Sequence, residues 1–123
     1  MTTRPRKSGK PGTTVDAFRR LALALPETEE LPHFDATSFR VRGKIFATIP
    51  PENEIANLMV ADDEALAAIA RLPIAYQELW WGNKLWGLRV TLAAVPTDDV
   101  SDLIEEAWRR KAPKRVVAAY DAR

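Results

Sequence analysis

The side chains with the most chemistry to offer are a lone histidine, a tryptophan-rich turn and an alternating run of bases. His33 is the sole histidine of the 123-residue chain, and imidazole is the usual general base near neutral pH. It has no cysteine to activate, because the chain contains none, and the serines are Ser8, Ser38 and Ser101. No G-x-S-x-G elbow surrounds Ser38. Glu29, Glu30 and Asp35 lie near His33, but one imidazole with carboxylates that lack helical i, i+4 spacing is a poor metal site. His33 is expected to be a strand-end residue bonded locally, available at most for stacking; no catalytic residue and no metal ligand is expected. The five glycines, at 9, 12, 43, 82 and 87, never fall into a phosphate-cradling pattern, so no nucleotide cofactor is expected either.

The turn W-W-G-N-K-L-W-G sets Trp80, Trp81 and Trp86 within seven residues, beside Lys84 and Arg89. Adjacent strand residues point to opposite faces, so Trp80 and Trp81 cannot both be core. An exposed indole next to cations is a stacking platform for a base or ligand ring, or an anchor for a protein partner. Trp81 and Trp86, with His33, are the expected stacking residues. In R-V-R-G-K the bases Arg40 and Arg42 alternate with Val41, and Lys44 follows Gly43. If this hairpin and the one at Asn83-Lys84 act as two wings, Arg40, Arg42, Lys44, Lys84 and Arg89 would contact phosphate, with strong salt dependence and little sequence choice. The competing reading is a charged solvent face balanced by Glu52 and Glu54.

Those residues need a scaffold, and length and composition bound it. A chain of 123 residues with 46% apolar content makes one globular domain that needs no disulfide or metal staple. The lack of cysteine excludes disulfide frameworks, thiolate zinc sites and iron–sulfur clusters. No apolar run approaches membrane-span length and the start lacks the apolar stretch of a signal peptide, so a cytoplasmic protein with no membrane partner is expected. The formal net charge of +1 excludes a uniformly basic binder but conceals an uneven chain. Residues 1–25 hold six bases and one acid, whereas residues 26–63 hold eight acids and three bases. Residues 1–12, rich in Pro, Gly, Lys and Arg, read as a disordered basic arm ahead of a single domain over 13–123.

Periodicity then supplies the elements. Val15, Phe18, Leu21, Ala22 and Leu25 share one helical face, with Thr13 or Thr14 as cap and Pro26 as stop. Thr28–Phe34 reads as an edge strand because of Pro32, and Lys44–Ile49 as a strand ended by Pro50-Pro51. Thr37–Val41 is a strand or helical turn, so Ala56–Val60 is the third or fourth strand. Asp62 or Asp63 caps a helix over Glu64–Leu72, with Leu66, Ile69 and Ala70 inward. Tyr76–Trp81 and Leu85–Leu92 form a hairpin on Gly82-Asn83, with Trp86, Leu88, Val90 and Leu92 on one face. Thr97 or Asp98 caps a helix over Asp99–Arg110, and Lys114–Tyr120 is one more. The expected fold is α+β: a two-layer domain with an antiparallel sheet and helices on one face.

Over about Val15 to Tyr120 the chain resembles the MmcQ/YjbR family of small bacterial proteins. The resemblance is carried by L-A-L-A-L-P-E-T-E-E, P-H-F-D-A-T-S-F-R-V-R-G-K-I-F-A-T-I, L-M-V-A-D-D and W-G-N-K-L-W-G-L-R-V, in that order. It implies an α-β(3)-α-β(2)-α order of secretion-chaperone-like type, and DNA binding through a double-wing arrangement. It implies no catalytic residue. The expectation is thus a non-enzymatic DNA-binding protein that uses two basic hairpins. The alternative is a protein- or small-ligand-binding domain that uses the Trp-rich hairpin.

Overall fold

The computed structural model describes residues 12–52 and 54–123, so the expected arm, apart from Gly12, lies outside the described residues. The elements run α1 (Val15–Leu23), β1 (Thr28–His33), β2 (Ala36–Val41), β3 (Lys44–Ile49), β4 (Ile55–Leu58), α2 (Asp62–Arg71), β5 (Tyr76–Trp81), β6 (Lys84–Thr91), α3 (Thr97–Lys111) and α4 (Lys114–Ala122). All strands join one antiparallel sheet in the order β1-β2-β3-β4-β6-β5. The α+β architecture is as expected, with four strands rather than three before α2, since Thr28–His33, Ala36–Val41, Lys44–Ile49 and Ile55–Leu58 all pair. β1 is an edge strand, where the missing N–H of Pro32 costs no ladder bond.

One hydrophobic core fills the space between the sheet and the helices. Phe39 and Val41 of β2, Ala47 and Ile49 of β3, Ala56 and Leu58 of β4 and Leu88 and Val90 of β6 all point to it. Phe18 and Ala22 of α1 and Val100, Leu103, Ile104, Ala107 and Trp108 of α3 meet them. Burial of Phe18, Phe39 and Phe46 stabilises by about 1.5–3 kcal/mol each. The fully buried Trp108 finds a partner for its indole N–H in the Pro26 carbonyl, 3.0 Å away, which fastens α3 to the end of α1. Tyr76 of β5 donates its hydroxyl to Asp99, which also accepts two bonds from Arg71 at 3.1 and 3.2 Å. That triad ties β5, α2 and the start of α3 together.

Helix boundaries differ from the sequence pattern at several caps. Thr14 caps α1 by accepting from Ala17 N–H at 3.0 Å, but the helix ends at Leu23, two residues short of Leu25. Neither Asp62 nor Asp63 caps α2: Ala61 holds the cap position, and both acids sit in the first turn, where they complement the helix dipole. Of the expected inward set Leu66, Ile69 and Ala70, Ile69 packs against the core and the other two do not. Ala65 and Ala68 face the core, whereas Leu66 and Ala70 are exposed. α2 lies over β5 and β6 through its smallest side chains, which permits an approach a leucine stripe would block. Pro96 occupies the α3 cap position in place of Thr97 or Asp98, with Thr97 drawn into the helix.

The turns decide which way the sheet ends face. Arg42 (φ 51°) and Gly43 (φ 83°) are both left-handed, the two-residue hairpin geometry that matches strand twist. Gly82 (φ 60°) opens the β5–β6 turn. Both turns close at the same end of the sheet, three strand intervals apart, or about 14 Å.

Candidate functional site

The helices cover one face of the sheet and leave the other uncovered, and strand register assigns each side chain to a face. Ser38 pairs with Thr48, Thr48 with Asn57, Asn57 with Arg89 and Arg89 with Gln77. This polar row crosses the face without helices; Ser38 and Thr48 in it are buried, and Arg89 and Gln77 are exposed. Arg40, one pleat nearer the hairpin turns, pairs with Glu29 and Ile45 on the same face. Lys84 pairs with Trp81 at the far corner.

A bulge in β6 builds the aromatic part of the site. Leu79 pairs with Gly87 but Trp80 pairs with Leu85, so Trp86 is the extra residue. A bulged residue loses the strict alternation of a strand, and here the side chain goes to the open face. The expected common face for Trp86, Leu88 and Val90 therefore breaks at Trp86: Leu88 and Val90 are buried while Trp86 is 37% exposed. Its ring packs on that of Trp81, centroids 5.5 Å apart and planes at 39°. Trp81 is 71% exposed. Trp80, on the opposite face, is exposed too and donates its indole N–H to Glu78 at 2.8 Å. Neither indole enters the core, because the hairpin tip projects past the helices.

Gly87 makes the bulge possible. A Cβ there would sit 2.0 Å from the Leu58 carbonyl oxygen and 3.1 Å from Met59 Cα, where the chain leaves β4 across it. Only glycine lets the two backbones approach so closely.

The five expected phosphate-binding bases divide among three places. Arg40, Lys84 and Arg89 lie on the open face. Among the described residues none of the three has a carboxylate within ion-pair distance. Arg40 lies folded along the sheet, donating to Ser38 Oγ at 2.9 Å and to the Pro32 carbonyl at 3.4 Å. Arg42, in the turn, is paired with Glu27 at 3.0 Å. Lys44 belongs to the helix side, where it stands near Lys111: burial first, then repulsion from Arg110 and Lys44, pushes the Lys111 ammonium below its usual range. His33 is on the open face but at the β1 edge and the other sheet end from Trp81, its ring against Phe34 at 4.9 Å. The stacking trio is therefore a pair, Trp81 and Trp86, with His33 elsewhere.

The acids that made residues 26–63 negative mostly point away from this face. Glu30 binds Arg19 at 3.0 Å on the helix side, and Glu27 is occupied by Arg42. Glu52 and Glu54 lie in the β3–β4 connection, at the sheet end remote from the two turns. Of the acids of β1 to β6, Glu29 is the one whose register puts it on the open face.

Two features escaped the sequence pattern. Asn57 donates to Thr48 Oγ1 at 3.2 Å, but its Oδ1 is enclosed without a partner, an arrangement that costs about 1–3 kcal/mol. The polar positions Thr48 and Asn57 in otherwise apolar strands were its only sequence signal. The Tyr76–Asp99–Arg71 triad joins residues far apart in the chain and left no signal. There, burial pushes the Asp99 carboxyl up, but hydrogen bonds from Arg71 and Tyr76 outweigh this and hold it below the usual range. Burial, then the bond to Asp99, raises the Tyr76 phenol well above its ordinary value. Among the described residues no group of three or more His, Cys, Asp or Glu could hold a metal ion, and no helix is long and apolar enough to cross a membrane.

Comparison with known proteins agrees with this architecture. Uncharacterized proteins of Mycobacterium tuberculosis and Mycobacterium bovis are 29% identical over 126 residues, covering 87% of this chain and 95% of theirs. A crystal structure of a Deinococcus radiodurans protein with a DUF419 domain superposes with a TM-score of 0.72 at 21% identity, over 85% of this chain and 83% of that one. A likeness at that identity concerns the fold. A family model described as YjbR matches residues 23–110, a span from the end of α1 almost to the end of α3, and the chain belongs to the YjbR family.

Proposed function

We propose that this protein is a DNA-binding domain rather than an enzyme, and that it holds DNA on the uncovered face of its sheet at the hairpin end. The observation that carries the reading is the charge of that face. Arg40, Lys84 and Arg89 share it without carboxylate partners, against Glu29 alone among strand acids. Cations and indole rings without a carboxylate or imidazole partner suit binding a ligand better than moving a proton. Arg42 and Lys44 contribute less in this reading, the first because Glu27 neutralises it and the second because it lies on the helix side.

Labelled DNA, titrated as duplex and as single strand, tests it. Three phosphate contacts imply that affinity falls about 20- to 40-fold between about 50 and 200 mM salt. A Lys84→Glu, Arg89→Glu variant should lose most of that binding and most of the salt slope. Absence of binding at low salt, or binding that survives the double variant and disappears only when residues 1–12 are removed, overturns the reading.

A protein-binding domain is the second reading, favoured by the exposure of both Trp80 and Trp81 on β5, whose outer edge has no strand neighbour. If DNA leaves the amide resonances of Lys84–Thr91 unmoved while a cross-linked protein maps to Tyr76–Trp81, that reading replaces the first.

A further inference from the structure

We infer that the DNA taken by this face is single-stranded, with an unpaired base stacked on Trp81; the inference rests on the DNA-binding reading above. In a duplex both faces of every base are already covered by neighbours, so an exposed ring has nothing to stack on. Trp81 presents such a ring. Its indole is 71% exposed, and its other side is held by Trp86 at a centroid distance of 5.5 Å. The two rings lie at 39° to each other, too close and too tilted to admit a base between them. Trp86 therefore acts as the support that fixes the Trp81 plane, and the outer face of Trp81 is the platform. The bulge that turns Trp86 to this side depends on Gly87, so the pair is built into the backbone.

The charges fit a strand crossing the sheet. Lys84 stands directly across the strand pair from Trp81, so a phosphate flanking a stacked base meets an ammonium. Arg89 follows on β6, about 16 Å further along. Gln77, exposed beside Arg89 on the edge strand β5, adds an amide that tolerates any base edge. Stacking on one ring with electrostatic tracking of the backbone is a sequence-tolerant way to hold a single strand. The competing cationic group, Lys44 with Arg110 and Lys111, has no aromatic ring among its neighbours in register and lies on the helix side.

The test titrates the full chain with a thymidine oligomer of about 12 nucleotides and with a duplex of the same length, read by anisotropy and by quenching of indole fluorescence. Single strand should bind tighter than duplex. Trp81→Ala should weaken single-strand binding roughly 5- to 100-fold while duplex binding barely changes, and Trp81→Phe should recover part of the loss. Trp80→Ala, on the opposite face, should leave both unchanged and serves as the control for a disturbed hairpin. Duplex bound as tightly as single strand, with Trp81→Ala without effect, overturns this inference and leaves DNA binding standing. No binding of either form at low salt overturns both.

Discussion

Gly87→Ala should be among the most damaging single-methyl changes in this protein. An added Cβ would lie 2.0 Å from the Leu58 carbonyl oxygen and 3.1 Å from both the Leu58 carbonyl carbon and Met59 Cα. Ordinary contact needs about 3.4 Å, so β4 and β6 must part by more than 1 Å at this point. The obstacle is backbone, which has no rotamer to change. Overpacking a tight site costs about 1–3 kcal/mol and occasionally more. Here the separation also loosens the ladder pairs Leu58–Leu88 and Asn57–Arg89, so about 3 kcal/mol is the expected loss. For a domain of this size that lowers Tm by roughly 10 °C, out of a total stability of about 5–15 kcal/mol. Thermal unfolding followed by circular dichroism measures it. The Trp81–Trp86 contact reports the same event, because displacing β6 at the bulge separates the rings and shifts their fluorescence. A Tm within about 2 °C of the parent, with unchanged indole emission, would refute the close approach of β4 to β6 and the account of the bulge.

Asp99 should make stability pH-dependent. Its carboxyl titrates below the ordinary carboxylate value in the folded state, so its contribution is present above about pH 4 and is lost as pH falls through the lower folded value. Urea unfolding should therefore show Asp99→Asn less stable than the parent at neutral pH, with the gap narrowing as pH drops below about 4; a gap constant with pH contradicts this. Phe34 is 93% exposed and holds φ 58°, a backbone region that costs a bulky side chain on the order of 1 kcal/mol. Phe34→Asn should raise stability by about 0.5–1 kcal/mol after loss of the His33 edge contact; a fall would mean that this contact outweighs the strain.

Much of the scaffold was legible because it rests on local rules. The three- and four-residue spacing in Val15–Leu25 and Val100–Trp108 names the buried helix faces, and Pro26 and Pro73 end helices wherever the chain is folded. R-G and G-N between alternating strands demand tight turns. Helix α2 was less legible: alanine and leucine both satisfy an apolar pattern, and only the close approach of α2 to β5 and β6 selects Ala65 and Ala68 over Leu66. Caps are ambiguous for a similar reason, since Asp62, Asp63, Thr97 and Asp98 suit either the cap or the first turn.

By itself, the sequence determined the α+β class, the two hairpins, the edge position of β1 and the residue types available for binding, because helix and strand periods, proline and turn glycine act over a few residues. Tertiary structure alone decided which of those residues meet. Strand order put the turns at Arg42-Gly43 and Gly82-Asn83 at one sheet end, and register sent Arg40, Lys84 and Arg89 to one face and Lys44 to the other. Pairing with Glu27 neutralised Arg42, and one extra residue in β6 turned Trp86 from the core towards Trp81. A bulge reverses a side chain without altering the local pattern, and an ion pair across fifteen residues leaves no periodic trace.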